Sequence, residues 1–219
     1  MTLRRGAALL ATVICLFLCL PTAAGAAATA PNRAPVVLIA VPGLQWSDVT
    51  GMPTLRGFVA DAAVGELSVK TAGGVTRCSA GILAVTAGNR TADSHGNCPI
   101  LPGTWQTLRD INAHTKYRTT VGLLGTALRH AGVTRIGVGY DAAPLLADEN
   151  GAVDHVIPTY SQAMADAESE PKGAVVAVLN PHLYYLLDPD PAQRAARAAQ
   201  VDADLAGMLA TTPRDATVI

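Results

Sequence analysis

The sequence predicts an α/β protein, an α/β/α sandwich built on a mostly parallel sheet. Two continuous apolar runs, Val-Val-Leu-Ile-Ala-Val at 36–41 and Ala-Val-Val-Ala-Val-Leu at 174–179, have strand length and are bounded by breakers. Strands covered on both faces read this way. Helix-like and strand-like segments then alternate through short connections, the rhythm of a parallel sheet. Composition agrees, because only 4% of residues are aromatic while Ala, Val, Leu and Gly abound. That favours close helix-on-sheet packing over an aromatic binding platform.

The elements follow in order. The first strand, 36–41, closes at Pro42-Gly43, a turn signal. Pro53 stands at a first helical position, and 54–63 places Leu55, Phe58, Val59 and Ala62 on one face. Residues 65–70 alternate Leu67 and Val69 with polar neighbours, as a half-exposed strand would. Short helices are expected over 79–87 and over 104–113, where Trp105, Leu108 and Ile111 recur at core spacing. A helix over 123–131 stops at Gly132, and a strand follows over 133–138. Next come a helix over 142–147, a short strand over 153–157 and a helix over 160–167. After the strand at 174–179, residues 191–210 form a long amphipathic helix, with Asp190 as its N-cap and Pro191 at N1. Leu205, Met208 and Leu209 are its expected buried face. Residues 216–219 begin a further strand, so the chain is expected to be a piece of a longer protein, truncated at its C-terminus.

The first residues carry an address. Arg4 and Arg5 precede an uncharged apolar stretch at 7–20, Pro21 breaks it, and small residues at 24–28 satisfy a cleavage rule. The apolar stretch is shorter than the roughly 20 residues a bilayer requires. Residues 1–26 therefore read as a signal peptide, 27–34 as a short linker, and 35–219 as one α/β domain of an exported protein. Removing Arg4 and Arg5 takes the formal charge from −1 to −3. No basic patch appears, which argues against nucleic acid as a partner and against an anionic membrane surface.

Cys78 and Cys98 are the cysteines left after that cleavage. In an exported chain an even pair is most simply a disulfide, and a loop of about 20 residues gives it about 3 kcal/mol by chain entropy. The enclosed stretch 88–103 is rich in Asn, Gly, Pro, Asp and Ser, with little else to order it.

The first strand and the segment Thr76-Arg77-Cys78-Ser79-Ala80-Gly81 together suggest a site. Small polar residues ahead of an apolar helix would offer free backbone N–H groups to an anion, at the sheet edge where open α/β folds hold ligands. Pro42-Gly43, Met52-Pro53-Thr54-Leu55, and Thr76-x-Cys78-Ser79 followed by Thr86-Ala87-Gly88 resemble the alkaline phosphatase and sulfatase superfamily. More narrowly, Val41-Pro42-Gly43-Leu44-x-Trp46-Ser47-Asp48 and Ala87-Gly88-Asn89-Arg90 are similar to exported actinobacterial members of it. The resemblance covers about residues 35–219. It implies an α/β/α sandwich with a metal site at the carboxyl ends of the strands.

Carried over position by position, the resemblance implies a degenerate site. The metal-binding Asp that ends the first strand in active members falls on Pro42, which has no ligand atom in its side chain. The nucleophile position falls on Cys78, with Thr76 two residues earlier as the other candidate. The sulfatase continuation x-Pro-x-Arg reads Ser79-Ala80-Gly81-Ile82 here. Where an Asp-x-x-x-His pair would follow the 174–179 strand, the chain reads Asn180-Pro181-His182, with Asp188 and Asp190 further on. The final Asp-His would lie beyond Ile219. Asp48 could replace the missing ligand or cap its loop, His182 could be a ligand or a loop histidine, and Cys78 could be a nucleophile or a disulfide partner. Asp188-Pro189-Asp190-Pro191 is acidic enough for calcium, although a helix cap explains it better. His95 and His114 show no ligand spacing.

Two functional classes follow. One is an exported phosphatase-like domain without its metal site, in a binding or cell-envelope role with a cell-envelope partner. The other is a metal-dependent hydrolase of phosphoric or sulfuric esters, needing a divalent cation. Membrane contact is expected only through a C-terminal region beyond Ile219. Pro42 favours the first class, since metal hydrolysis requires several hard ligands per ion.

Overall fold

A computed structural model describes residues 33–65, 69–93, 98, 100, 103–184 and 190–219. The expected signal peptide, most of the linker, and Asp188 lie outside the described residues. Five strands form one all-parallel sheet: β1 (Val36–Ala40), β2 (Thr134–Val138), β3 (His155–Ile157), β4 (Ala174–Leu179) and β5 (Thr217–Val218). Their order across the sheet is β3-β2-β4-β1-β5. The two apolar runs are thus adjacent, Val36 opposite Val175 through Ala40 opposite Leu179.

Strand alternation sends successive side chains to opposite faces. Val37, Ile136 and Val176 lie in register and pack with Ala163, Met164 and Ala167 of helix α6 (Tyr160–Ser169). On the other face Ala177 belongs to one apolar cluster with Ile82 and Leu83 of α2 (Cys78–Ala87) and Leu108 of α3 (Trp105–His114). The remaining helices are α1 (Pro53–Asp61), α4 (Leu123–His130), α5 (Gly139–Ala142) and α7 (Pro191–Thr211). Helix α7 packs on α1 and α6, and Ala198 and Val201 join Met52 and Leu183 in a third apolar cluster. The helices lie on both faces of the sheet, as an α/β/α sandwich requires.

The caps explain the element starts. Asp190 accepts from the Ala192 N–H ahead of Pro191, so α7 begins where a fixed φ and a carboxylate favour it. Helix α1 has no side-chain cap at Met52. Its first free N–H groups, on Thr54 and Leu55, instead donate to Asp202 of α7 at 3.0 and 2.9 Å. A buried arginine joins β2 to the loops beside it. The Arg135 guanidinium is bidentate on Asp154 (2.9 and 2.8 Å) and also donates to the Ala152 carbonyl at 3.0 Å. These bonds hold the Asp154 carboxyl below its ordinary range, outweighing the opposing effect of burial.

Three expectations change. The helix expected over 142–147 begins earlier, as α5, and continues as a 3₁₀ turn, Ala143–Leu145, ending at Leu146. Pro144 cannot donate the α-helical bond there. Of the strand expected over 65–70, residues 66–68 lie outside the described set, while Gly65, Val69 and Lys70 are irregular. Val69 offers its carbonyl to the Thr76 hydroxyl at 3.0 Å. Finally, Leu205 is buried, but Met208 and Leu209 are only half-buried. Met208 lies between two open clefts.

Candidate functional site

The carboxyl ends of β1 and β4 lie side by side, and their loops touch. Gly43 holds φ +83°, and a Cβ there would sit 3.0 Å from the Leu183 carbonyl and the Tyr184 nitrogen. Only glycine meets both demands, so the Pro42-Gly43 turn is shaped for close approach of the β4 loop. Beyond it a 3₁₀ turn, Trp46–Gly51, carries Asp48. The Asp48 carboxylate accepts from Arg194 Nε at 2.8 Å and Nη2 at 2.5 Å, and from the Gln45 N–H at 2.8 Å. Arg194 Nη2 also donates to the Gly43 carbonyl at 2.8 Å. The Asp48 side chain is 6% exposed. This bidentate pair ties the β1 exit to α7.

A cleft of about 480 Å³ opens at the β4 exit, between the start of α6 and the last turns of α7. Asn180 forms its floor and is buried. Asn180 Nδ2 donates to Asp204 Oδ2 at 2.9 Å, and its Oδ1 accepts from the His182 N–H at 3.3 Å. His182 Nε2 lies 4.0 Å from the same Asp204 oxygen. Gln200 Nε2 donates to the other oxygen at 2.9 Å. At the cleft wall the Tyr160 hydroxyl meets Thr212 Oγ1 at 2.6 Å. Burial raises the Tyr160 phenol above its ordinary range, and the Thr212 bond only partly opposes this. Gly207 also lines the cleft, and a Cβ added there would meet nothing within 4 Å. Inside a helix, glycine costs about 1 kcal/mol relative to alanine. Among the described residues nothing packs against that position.

The other candidates stand elsewhere. Cys78 opens α2 at disulfide distance from Cys98, their Cα atoms 5.6 Å apart. Both are buried in the core beside Ile82 and Leu108. Thr76 is exposed and directs its hydroxyl to the Val69 carbonyl. Ser79, in the first turn of α2, donates to the Asp93 carboxylate. The chain thus sets its own anionic group near the helix start where an anionic ligand was expected, in keeping with the positive end of the dipole. Among the described residues, Asp48, Thr76, Cys78 and His182 are neither hydrogen-bonded nor ion-paired to one another.

These residues do not fit a divalent metal. Pro42 offers no donor, Asp48 is committed to Arg194, and at the β4 exit the histidine and the carboxylate are accompanied by a neutral amide. Among the described residues no three His, Cys, Asp or Glu side chains converge. No protein-family model and no curated protein matches this chain.

Three residues of α7 that organise this region, Arg194, Asp202 and Asp204, are absent from the sequence-based candidates. One signal was present. Ala198, Val201, Asp202 and Leu205 share the helical spacing of a buried stripe, and an aspartate in such a stripe calls for a partner. The partner of Arg194 lies 146 positions away, which no local pattern reveals.

Proposed function

We propose that this is an exported phosphatase-like α/β protein whose carboxyl-edge site serves binding, in a cell-envelope role, rather than ester hydrolysis. One observation carries the reading: the acidic side chain nearest the β1 exit, Asp48, has both oxygens engaged by Arg194. A carboxylate so held has structural work and no spare charge for a metal. The nucleophile position supports the same reading, because the Cys78 sulfur faces Cys98 inside the core instead of a cleft. Without a metal at the β1 exit, neither nucleophile activation nor stabilisation of the transition-state charge is supplied, each worth several kcal/mol in a metallohydrolase.

The test is hydrolysis of p-nitrophenyl phosphate and sulfate by the purified secreted protein, with zinc, magnesium, manganese or calcium added in turn. Turnover at the level of buffer is expected with every metal. Metal-dependent turnover that disappears in Cys78→Ala, in a variant that circular dichroism shows to be folded, would overturn the reading.

A further inference from the structure

We propose that the cleft at the carboxyl end of β4 binds a small cationic ligand, a protonated amine on an apolar body, with Asp204 as its counter-ion. The inference starts from the state of that carboxylate. Its side chain is 35% exposed, and its two oxygens are oriented by neutral amides, Asn180 Nδ2 and Gln200 Nε2, each at 2.9 Å. Neutral donors aim a carboxylate without compensating its charge. Among the described residues no lysine or arginine pairs with Asp204, and its one titratable neighbour is His182, 4.0 Å away. Three other acids are answered by strong cations, Asp48 by Arg194, Asp154 by Arg135 and Asp148 by Arg129, and the buried Asp202 by two backbone N–H groups. Asp204 is pre-oriented and open.

The cleft supplies the rest of a ligand site. Its volume of about 480 Å³ lies in the range of small-molecule pockets, and it combines apolar walls with a few convergent polar groups. Val178, Leu179 and Met208 give the apolar surface. An ammonium group brings three N–H donors and no acceptor, which suits the Asp204 carboxylate and the Asn180 carbonyl oxygen. Phosphate, sulfate or carboxylate would meet an uncompensated negative charge. Gly207 also borders the cleft. A glycine in a helix interior disfavours the helix, and here neither packing nor a positive φ requires it. A Cβ there would meet nothing within 4 Å, so there is open space beside Asp204, three residues and almost one turn away.

The test is titration of the secreted protein with n-butylammonium, n-butanol and butyrate, followed by amide chemical shifts of α7 and by calorimetry. Saturable binding of n-butylammonium is expected, at least tenfold tighter than n-butanol, with none for butyrate. Asp204→Asn should weaken the ammonium at least tenfold and leave n-butanol unchanged. Gly207→Phe should abolish both while keeping the urea midpoint at or above the parent value. Equal affinity for the amine and the alcohol, parent-like binding by Asp204→Asn, or shifts that never saturate would overturn the inference. It rests on the binding reading, yet the two fail separately: ester turnover in the hydrolysis assay ends that reading, whereas a flat ammonium titration without turnover ends this inference alone.

Discussion

Replacing Arg194 with methionine separates the structural and metal-binding roles of Asp48. The substitution keeps most of the side-chain volume and removes both bonds to the carboxylate and the one to the Gly43 carbonyl. Asp48, 6% exposed, is left with only the Gln45 N–H. Removing one partner of a buried pair costs about 3–5 kcal/mol, because the remaining charge is buried and uncompensated. The Arg194 side chain is 18% exposed, so water reaches the vacated position and the lower end applies, about 3 kcal/mol. With a urea slope of about 2 kcal/mol/M, the midpoint should fall by about 1.5 M. Asp48→Asn combined with Arg194→Met should recover about 2 kcal/mol of that loss, since no orphan charge remains. The assay is urea unfolding of the four proteins of the double-mutant cycle by circular dichroism, with and without zinc or magnesium. A cost below about 0.5 kcal/mol for Arg194→Met, or additivity within 0.5 kcal/mol, would refute the structural role. So would a metal-dependent rise in midpoint that Asp48→Asn abolishes, because it would make the carboxylate a ligand.

Two further predictions concern the scaffold. Asp202→Ala leaves the Thr54 and Leu55 N–H groups of α1 unsatisfied and should cost about 2 kcal/mol in urea unfolding, whereas Asp202→Asn keeps one acceptor and should cost about 1 kcal/mol. Asp154, whose carboxyl is held low by Arg135, contributes stability that is present above its unfolded pKa of about 3.9 and lost as pH falls through its folded value. The urea midpoint of Asp154→Asn should therefore be lower than the parent's near pH 7 and fall less steeply below pH 4; parallel pH profiles would contradict this.

Much of the fold was legible because its signals are local. The two apolar runs emerge as adjacent strands β1 and β4, since a parallel strand buried on both faces needs apolar residues at every position. Asp190-Pro191 caps α7 as expected, and Gly132, with φ +70°, follows α4 as the helix-ending glycine. The misplaced turn at Ala143–Leu145 arose from a strong local breaker, Pro144, inside an apolar helical pattern. The burial expected of Met208 and Leu209 failed for a different reason. Periodicity identifies a face but not how far the layer beneath it extends, and Met208 borders two clefts.

The site was much less legible. Asp48 and His182 are isolated side chains with ligand chemistry in the sequence, and nothing near either in sequence tells which charged group it meets. Tertiary structure gives Asp48 to Arg194 and sets His182 beside Asn180 and Asp204, across separations of 146 and 22–24 residues respectively for the Arg194 and Asp204 partners. Gly207 is similar: its composition is visible, but only the folded chain shows that a side chain would enter a cleft. The sequence by itself determined the fold class, the two apolar strands β1 and β4 and the start of α7, because hydrophobic periodicity, capping and turn chemistry act over a few residues. Tertiary structure alone decided which charges are answered and which stays open, because ion pairing and clefts are made by side chains that meet only after the sheet has brought distant segments together.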